Sequence, residues 1–362
     1  MLITDRIRRL REEMSDKGID AYIVPSSDPH MSEYVAAHWE GRKWLSGFTG
    51  SAGTLVITLE SCGLWTDGRY YVQAERQLEG TGIRLFKFGM EGVKNYTEWI
   101  ADTLDRGDCV GMDGKLFSVS QVRNMEKIFS KKGILINREH DLLMGIWENR
   151  PAIPKETVFV HDMAYAGRTA VQKIGDVREV MAQKGANYHL ISSLDDIAWL
   201  YNIRGADVAY NPVAISYALV SEEKAWLFIH EDKVPASVRE HIKDNGVEIE
   251  DYDRVEAHLS RLGQGDTILL DPHRVNSWLY NSIGREAGIE EDTTITTTLK
   301  AVKNQVEIEN LKKAHIKDGA AMVKFLCWLD NNLSGEEITE ITVADKLEEF
   351  RSRQENYMGL SF

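Results

Sequence analysis

The 362 residues include 57 acidic and 43 basic side chains, a net charge of −14, and 43% are hydrophobic. That sign repels phosphate backbones, and no basic stripe with interleaved aromatics offsets it, so nucleic acid is excluded as a partner. No apolar run reaches membrane-spanning length, and the charged opening MLITDRIRRLREEM is neither a signal peptide nor an anchor, so a membrane is excluded too.

The length predicts two or three domains. Cys62, Cys109 and Cys327 are far apart and lack CxxC spacing, as expected of reduced thiols in a cytoplasmic protein. The chain opens with a helix whose apolar face is Ile7, Leu10 and Met14, stopped by Gly18 in a left-handed cap. The strand DAYIV follows, then a glycine-bearing loop and the hairpin strands TLVIT and CGLWTD. The tight turn Asp67-Gly68-Arg69 is read as requiring its glycine, and an amphipathic helix with Tyr70, Tyr71 and Ala74 comes next. Pro151 and Pro154 in ENRPAIPKE mark a linker, which places a boundary near 155.

Beyond it the design repeats. LREEMSDKGIDAYIVPSSD from Leu10 aligns with VREVMAQKGANYHLISSLD from Val177. Arg11, Glu12, Met14, Lys17, Gly18, Ser26 and Asp28 pair with Arg178, Glu179, Met181, Lys184, Gly185, Ser193 and Asp195 at a constant offset of 167. NYHLI, AISYALV and KAWLFIH are the second set of strands. Helix-strand alternation with hairpins predicts an α/β protein built on mixed sheets flanked by helices, arranged as tandem copies.

A second boundary falls near 300, after EEDTTITTTLKAVKNQ. A helix then runs with Ile308, Leu311, His315, Gly319, Met322, Leu326 and Leu329 as one buried stripe and a Glu309–Lys313 pair outside it. Ser334 to Glu337 offers a capping box. A second helix carries Val343, Leu347 and Phe350, and ENYMGLSF reads as the start of a strand. Such a segment cannot bury a core of its own, so the third domain reads as incomplete.

The ten histidines form no HxH, HxxxH or HExxH. His315, on its apolar stripe, reads as a core residue. The TGSAG run at 49–53 lacks the first glycine and the following helix of a nucleophile elbow, and Gly47, Gly50 and Gly53 do not form a nucleotide fingerprint. Paired glutamates fall on solvated helix faces. Two polar knots at strand ends remain: WTDGRYY with Asp67 and Arg69, and NIRGADVAYNPV with Arg204, Asp207 and Asn211. At the first, Asp67 could cap the helix while Arg69 stays a surface charge, which residue chemistry alone favours. Alternatively, Arg69 projects from the strand end toward a ligand carbonyl or carboxylate.

AYIVPSSDPHMSEYV, RKWLSGFTGSAGTLVIT, LWTDGRYYVQA, SSLDDIAWLYNIRGADVAYNPV, KAVKNQVEIENLKKAHIKD and EITVADKLEEFRSRQ occur in one order across the whole chain. Together they resemble the three-domain cytosolic Xaa-Pro aminopeptidases, of the creatinase/prolidase/methionine aminopeptidase superfamily. The resemblance implies creatinase-like domains at 1–155 and 156–300 and, at 301–362, the first helices of a pita-bread catalytic domain. It implies removal of an N-terminal residue that precedes proline, from peptide substrates, by a homodimer when full length. Two divalent ions, commonly manganese, are held there by two aspartates, a histidine and two glutamates. Those positions lie beyond the motif that matches GLSF, so no catalytic residue and no metal ligand is expected in this chain, and it is expected to be inactive alone. One functional position is carried over: the arginine of WTDGR, which approaches bound peptide and matches Arg69, with Asp67 as an inferred orienting partner. The competing reading is a non-catalytic scaffold that binds peptides or proteins. The long duplicated N-terminal half argues against a prolidase.

Overall fold

A computed structural model describes residues 1–333 and 338–361. The first lobe is built on β1 (Ala21–Pro25), β2 (Thr54–Thr58), β3 (Cys62–Thr66), β4 (Arg84–Lys87), β5 (Cys109–Met112) and β6 (Leu135–Asn137), in the order β4-β3-β2-β1-β5-β6. The β1–β2 and β2–β3 pairs are antiparallel, and the other three are parallel. All five residues of β1 are buried, as both faces of the sheet centre are covered.

The second lobe follows β7 (Phe159–Val160). Its sheet comprises β8 (Tyr188–Ile191), β10 (Tyr217–Ser221), β11 (Ala225–Phe228), β12 (Val247–Glu250), β13 (Thr267–Leu270) and β14 (Gly288–Glu291). The remaining strand, β9 (Ile203–Arg204), pairs with β7. The order β12-β11-β10-β8-β13-β14 repeats the first sheet strand for strand, with the same pattern of parallel and antiparallel pairs.

The residues paired at offset 167 explain part of this repetition. Met14 and Met181 are both buried under their sheets. Gly18 and Gly185 sit at φ +64° and +70°, where a β-carbon would be strained, and each lets the chain turn from helix into strand. Arg11 Nε donates to Thr58 O at 2.9 Å, and Arg178 Nε donates to Ser221 O at 2.8 Å. Each arginine thus ties its helix to the end of the equivalent hairpin strand. The pairs further along have diverged. Asp28 is buried and accepts from the backbone of His30 and Ser32, whereas Asp195 is paired with Lys300.

The lobes are joined by more than the linker. Val119 N donates to Val275 O at 3.1 Å, and Ser277 N donates to Phe117 O at 2.9 Å. Asn276 Nδ2 donates to Pro29 O at 2.8 Å, and Arg123 forks onto Glu291 at 2.7 and 2.5 Å. Buried His30 lies 2.9 Å from both Ser192 O and Tyr252 Oη.

The third segment differs from its expectation. Its helices span Gln305–Asn332 and Glu340–Ser352, and the first begins with a capping box between Asn304 and Glu307. Within Gln305–Asn332 only Ala321 and Phe325 are buried; Leu311 and Leu326 are exposed. His315 is exposed as well, with Nδ1 2.8 Å from Leu311 O, and is not a core residue. Two packed helices share a single seam, and a stripe wider than that seam stays in water. Glu309 accepts from Gln305 Nε2 at 2.9 Å, in place of the expected pair with Lys313. Residues 355–361 form no strand, for no neighbouring strand edge accepts them. The expected capping box at Ser334 to Glu337 lies outside the described residues.

Candidate functional site

β3 delivers the first polar knot. Thr66 Oγ1 donates to Ala52 O at 2.6 Å, fixing the strand end against the glycine loop. The chain then turns through Asp67-Gly68-Arg69 into the Tyr71–Gln77 helix. Asp67 does not cap that helix: its N-cap is Tyr70, which makes no side-chain capping bond. Asp67 holds Arg69 instead. Arg69 Nε donates to Oδ1 at 2.9 Å and Nη2 to Oδ2 at 2.8 Å, while Arg69 N donates to Oδ1 at 3.1 Å. These bonds hold the Asp67 carboxyl below its usual range and raise the Arg69 guanidinium above its own. The Arg69 side chain remains 66% exposed and lies 5.1 Å over the Tyr70 ring. The result is a braced cation at a strand end, with N–H groups free to meet an acceptor.

Tyr70 Oη lies 2.6 Å from Ser51 Oγ. The serine of TGSAG therefore faces a tyrosine rather than a histidine. Behind the loop, Arg42 is 5% exposed and donates to Ser26 Oγ at 2.9 Å, Phe48 O at 2.7 Å and Gly50 O at 2.5 Å. Burial lowers its pKa to about 10. A cleft of about 180 Å³ opens between this loop, Tyr34 and Tyr210.

The second knot is built differently. Asp207 and Lys233 form an ion pair with no exposed side-chain surface, and Asp207 also accepts from Glu156 N at 3.0 Å and Ile215 N at 2.6 Å. This is a structural brace. Arg204 Nη1 donates to Ala198 O and Ile203 O, and the residue lines a larger cleft of about 910 Å³ beside the long helix. Asn211 faces that larger cleft, while its neighbour Tyr210 faces the smaller one. The two knots are thus not one site.

Arg42, Tyr34 and Tyr210 were not singled out by the sequence. Tyr210 had a partial signal, standing just before Asn211-Pro212, a turn-forming pair. Among the described residues no group of three or more His, Cys, Asp or Glu side chains could hold a metal ion. The described residues therefore do not fit a dinuclear metal centre.

Sequence profiles of the creatinase/prolidase N-terminal domain match residues 6–140 and 149–307 in tandem. A protein of Aspergillus niger described as "Probable Xaa-Pro aminopeptidase P" is 39% identical over 373 residues, covering 99% of this chain. The chain belongs to the creatinase/prolidase N-terminal domain family. A second relative, from Ajellomyces capsulatus and carrying the same description, is 38% identical over 377 residues. The crystal structure of X-prolyl aminopeptidase from Caenorhabditis elegans, described as a cytosolic enzyme with a di-nuclear active site, superposes with a TM-score of 0.93 at 34% identity. That match covers 100% of this chain and 62% of the nematode enzyme. The chain spans 60% of the Aspergillus relative's length and 59% of the Ajellomyces one.

Proposed function

We propose that this chain is the N-terminal portion of a metal-dependent Xaa-Pro aminopeptidase, which removes an N-terminal residue preceding proline. The observation that carries this reading is the superposition of the whole chain on the nematode enzyme at TM-score 0.93. In this reading residues 1–155 and 156–300 are creatinase-like domains and 301–362 opens the catalytic domain. The full-length protein is a cytosolic homodimer that uses two metal ions, manganese in our proposal. Arg69 binds a carbonyl or carboxylate of the peptide, and Asp67 orients it. The braced, exposed geometry of that pair supports the role, since a guanidinium held by one carboxylate keeps other N–H groups for a ligand.

The test is expression of these 362 residues alone and of the coding sequence together with whatever follows Phe362. Only the longer product is expected to release alanine from Ala-Pro-Ala, and only with manganese. Metal-dependent release by the pure 362-residue chain overturns the proposal. Peptide binding without cleavage by the complete gene product would favour the scaffold reading instead.

A further inference from the structure

The small cleft lies where the two lobes meet. One wall pairs Tyr34 of the first lobe with Tyr210 of the second, ring centroids 5.3 Å apart and tilted by 57°. Tyr210 is 48% exposed, and its backbone stands at φ +65°, a left-handed conformation unfavourable for a bulky residue. Tyr210 is held there by the tight turn that the antiparallel bridge between Val208 and Asn211 closes, and among the described residues its hydroxyl has no hydrogen-bond partner. Strain that presents an exposed aromatic ring is of the kind found at ligand clamps.

The opposite wall is polar. Arg42 pins it with three bonds to oxygen, all from carbonyl or hydroxyl groups, and no carboxylate lies within ion-pair distance of it among the described residues. A buried guanidinium bonded only to uncharged oxygens, with Glu40 acting on it through space, favours electron-rich oxygen nearby. Lys43 beside it is engaged by Glu40 at 2.9 Å. From this wall, Ser51 bonds Tyr70, and Tyr70 carries Arg69 over its ring. Arg69, Tyr70, Ser51, the cleft and the two tyrosines are thus linked contact by contact.

We propose that the cleft is a subsite for the peptide residues that follow the portion held by Arg69. It takes one apolar or ring-bearing side chain against Tyr34 and Tyr210, with the peptide's carbonyls or C-terminal carboxylate toward the wall that Arg42 pins. This rests on the reading of Arg69 given above. About 180 Å³ suits a single side chain; whole-ligand pockets run to about 300–1,000 Å³. Aromatic faces accept such groups with little entropy loss, as two rings already pack together. Because the two rings come from different lobes, the subsite exists only when the lobes are docked.

The experiment uses the 362-residue chain labelled with 3-fluorotyrosine. Its 13 tyrosine resonances would be assigned by single Tyr→Phe variants and followed by fluorine NMR during titration. Ala-Pro-Ala-Phe-Ala is expected to shift Tyr70, Tyr34 and Tyr210, and Ala-Pro to shift Tyr70 alone. Glycine adopts φ +65° freely, so Tyr210→Gly removes the ring without straining the loop. It should weaken the pentapeptide by about two- to tenfold and leave the dipeptide unchanged. Arg69→Ala should weaken both. If the pentapeptide moves Tyr70 but neither clamp tyrosine, the subsite is refuted and the reading of Arg69 survives. If neither peptide moves any tyrosine, both fail. Tyr34 Oη approaches Ser361 O at 3.4 Å, so the protein's own tail is the rival occupant. Displacement of both clamp resonances on deleting residues 357–362, with no further response to peptide, overturns the proposal in its favour.

Discussion

At the scale of single residues, the site depends on how closely the glycine loop approaches Tyr70. A β-carbon on Gly50 would overlap Phe48 Cζ and come within 2.8 Å of Tyr70 Cδ1. Phe48 is fully buried, and Arg42 holds the carbonyls on either side of the turn, so neither ring nor backbone can yield cheaply. Gly50→Ala should therefore destabilise the protein by about 1–3 kcal/mol, read as a lower urea midpoint at unchanged slope. Gly68 is the contrast. The turn was expected to require it, yet its φ lies outside the left-handed region, and an added β-carbon would meet nothing nearer than Tyr71 Cε2 at 3.8 Å. Gly68→Ala should leave stability within about 0.5 kcal/mol of the parent. What the sequence conveyed here was chemistry adjacent along the chain, such as Asp67 beside Arg69. Arg42 was invisible because its burial depends on residues brought over it by the fold, and Tyr34 and Tyr210 meet only across the two lobes.

At the scale of elements, the knot around Asp207 gathers three pieces of backbone: the linker at Glu156, the loop ending at Ile215, and the short Glu231–Lys233 turn. Burial lowers the pKa of Lys233 despite its partner, so the charges are held by each other and not by water. Lys233→Met strands a buried carboxylate and should cost about 3–5 kcal/mol, while the double variant Asp207→Leu, Lys233→Met should cost less than the sum of the two single changes. A double-mutant cycle by chemical denaturation measures this coupling. A second buried group sets a pH dependence. His189 on β8 lies 3.0 Å from Leu269 O on β13, and its other nitrogen accepts from Ile295 N at 3.3 Å, where the next helix starts. Burial lowers its pKa from 6.5 to about 4. The unfolded chain then binds the proton more readily, so this contribution is complete above pH 6.5 and is lost as pH falls toward 4. The full loss is roughly 3 kcal/mol, and His189→Gln should flatten that part of the stability profile between pH 7 and 4.5. Repeat elements were the most legible part of the sequence, since helix stops, hairpin turns and the paired arginines are local chemistry used twice. The stripe on Gln305–Asn332 misled, because periodicity reports which face is apolar and not whether anything covers it.

At the scale of the whole molecule, the lobes share one hydrophobic cluster. It runs from Ile23, Val56 and Phe117 in the first to Leu190, Tyr217 and Leu279 in the second. Backbone bonds also cross the junction at Phe117, Val119, Val275 and Ser277. Separating the lobes would expose that surface and leave those backbone groups unpaired, so the two sheets should open as one cooperative unit. The long helix is attached differently. Its start is gripped by the second lobe: Asn304 Nδ2 donates to Ala166 O at 2.9 Å, and Trp199 Nε1 donates to Glu307 at 3.3 Å. Further along, only Ala321 and Phe325 are buried, no residue of Glu340–Ser352 is buried, and the Arg351–Asp318 pair between the two helices is exposed. Exposed pairs of this kind stabilise little. Hydrogen exchange followed by mass spectrometry should therefore resolve two classes. Amides of β1, β5, β8 and β13 should exchange together and share one denaturant dependence, whereas those of residues 318–332 and of Glu340–Ser352 should exchange at least about tenfold faster with a shallower dependence. Lobes that exchange with separate denaturant dependences would refute the shared core and, with it, the premise that the Tyr34–Tyr210 clamp is assembled whenever the protein is folded.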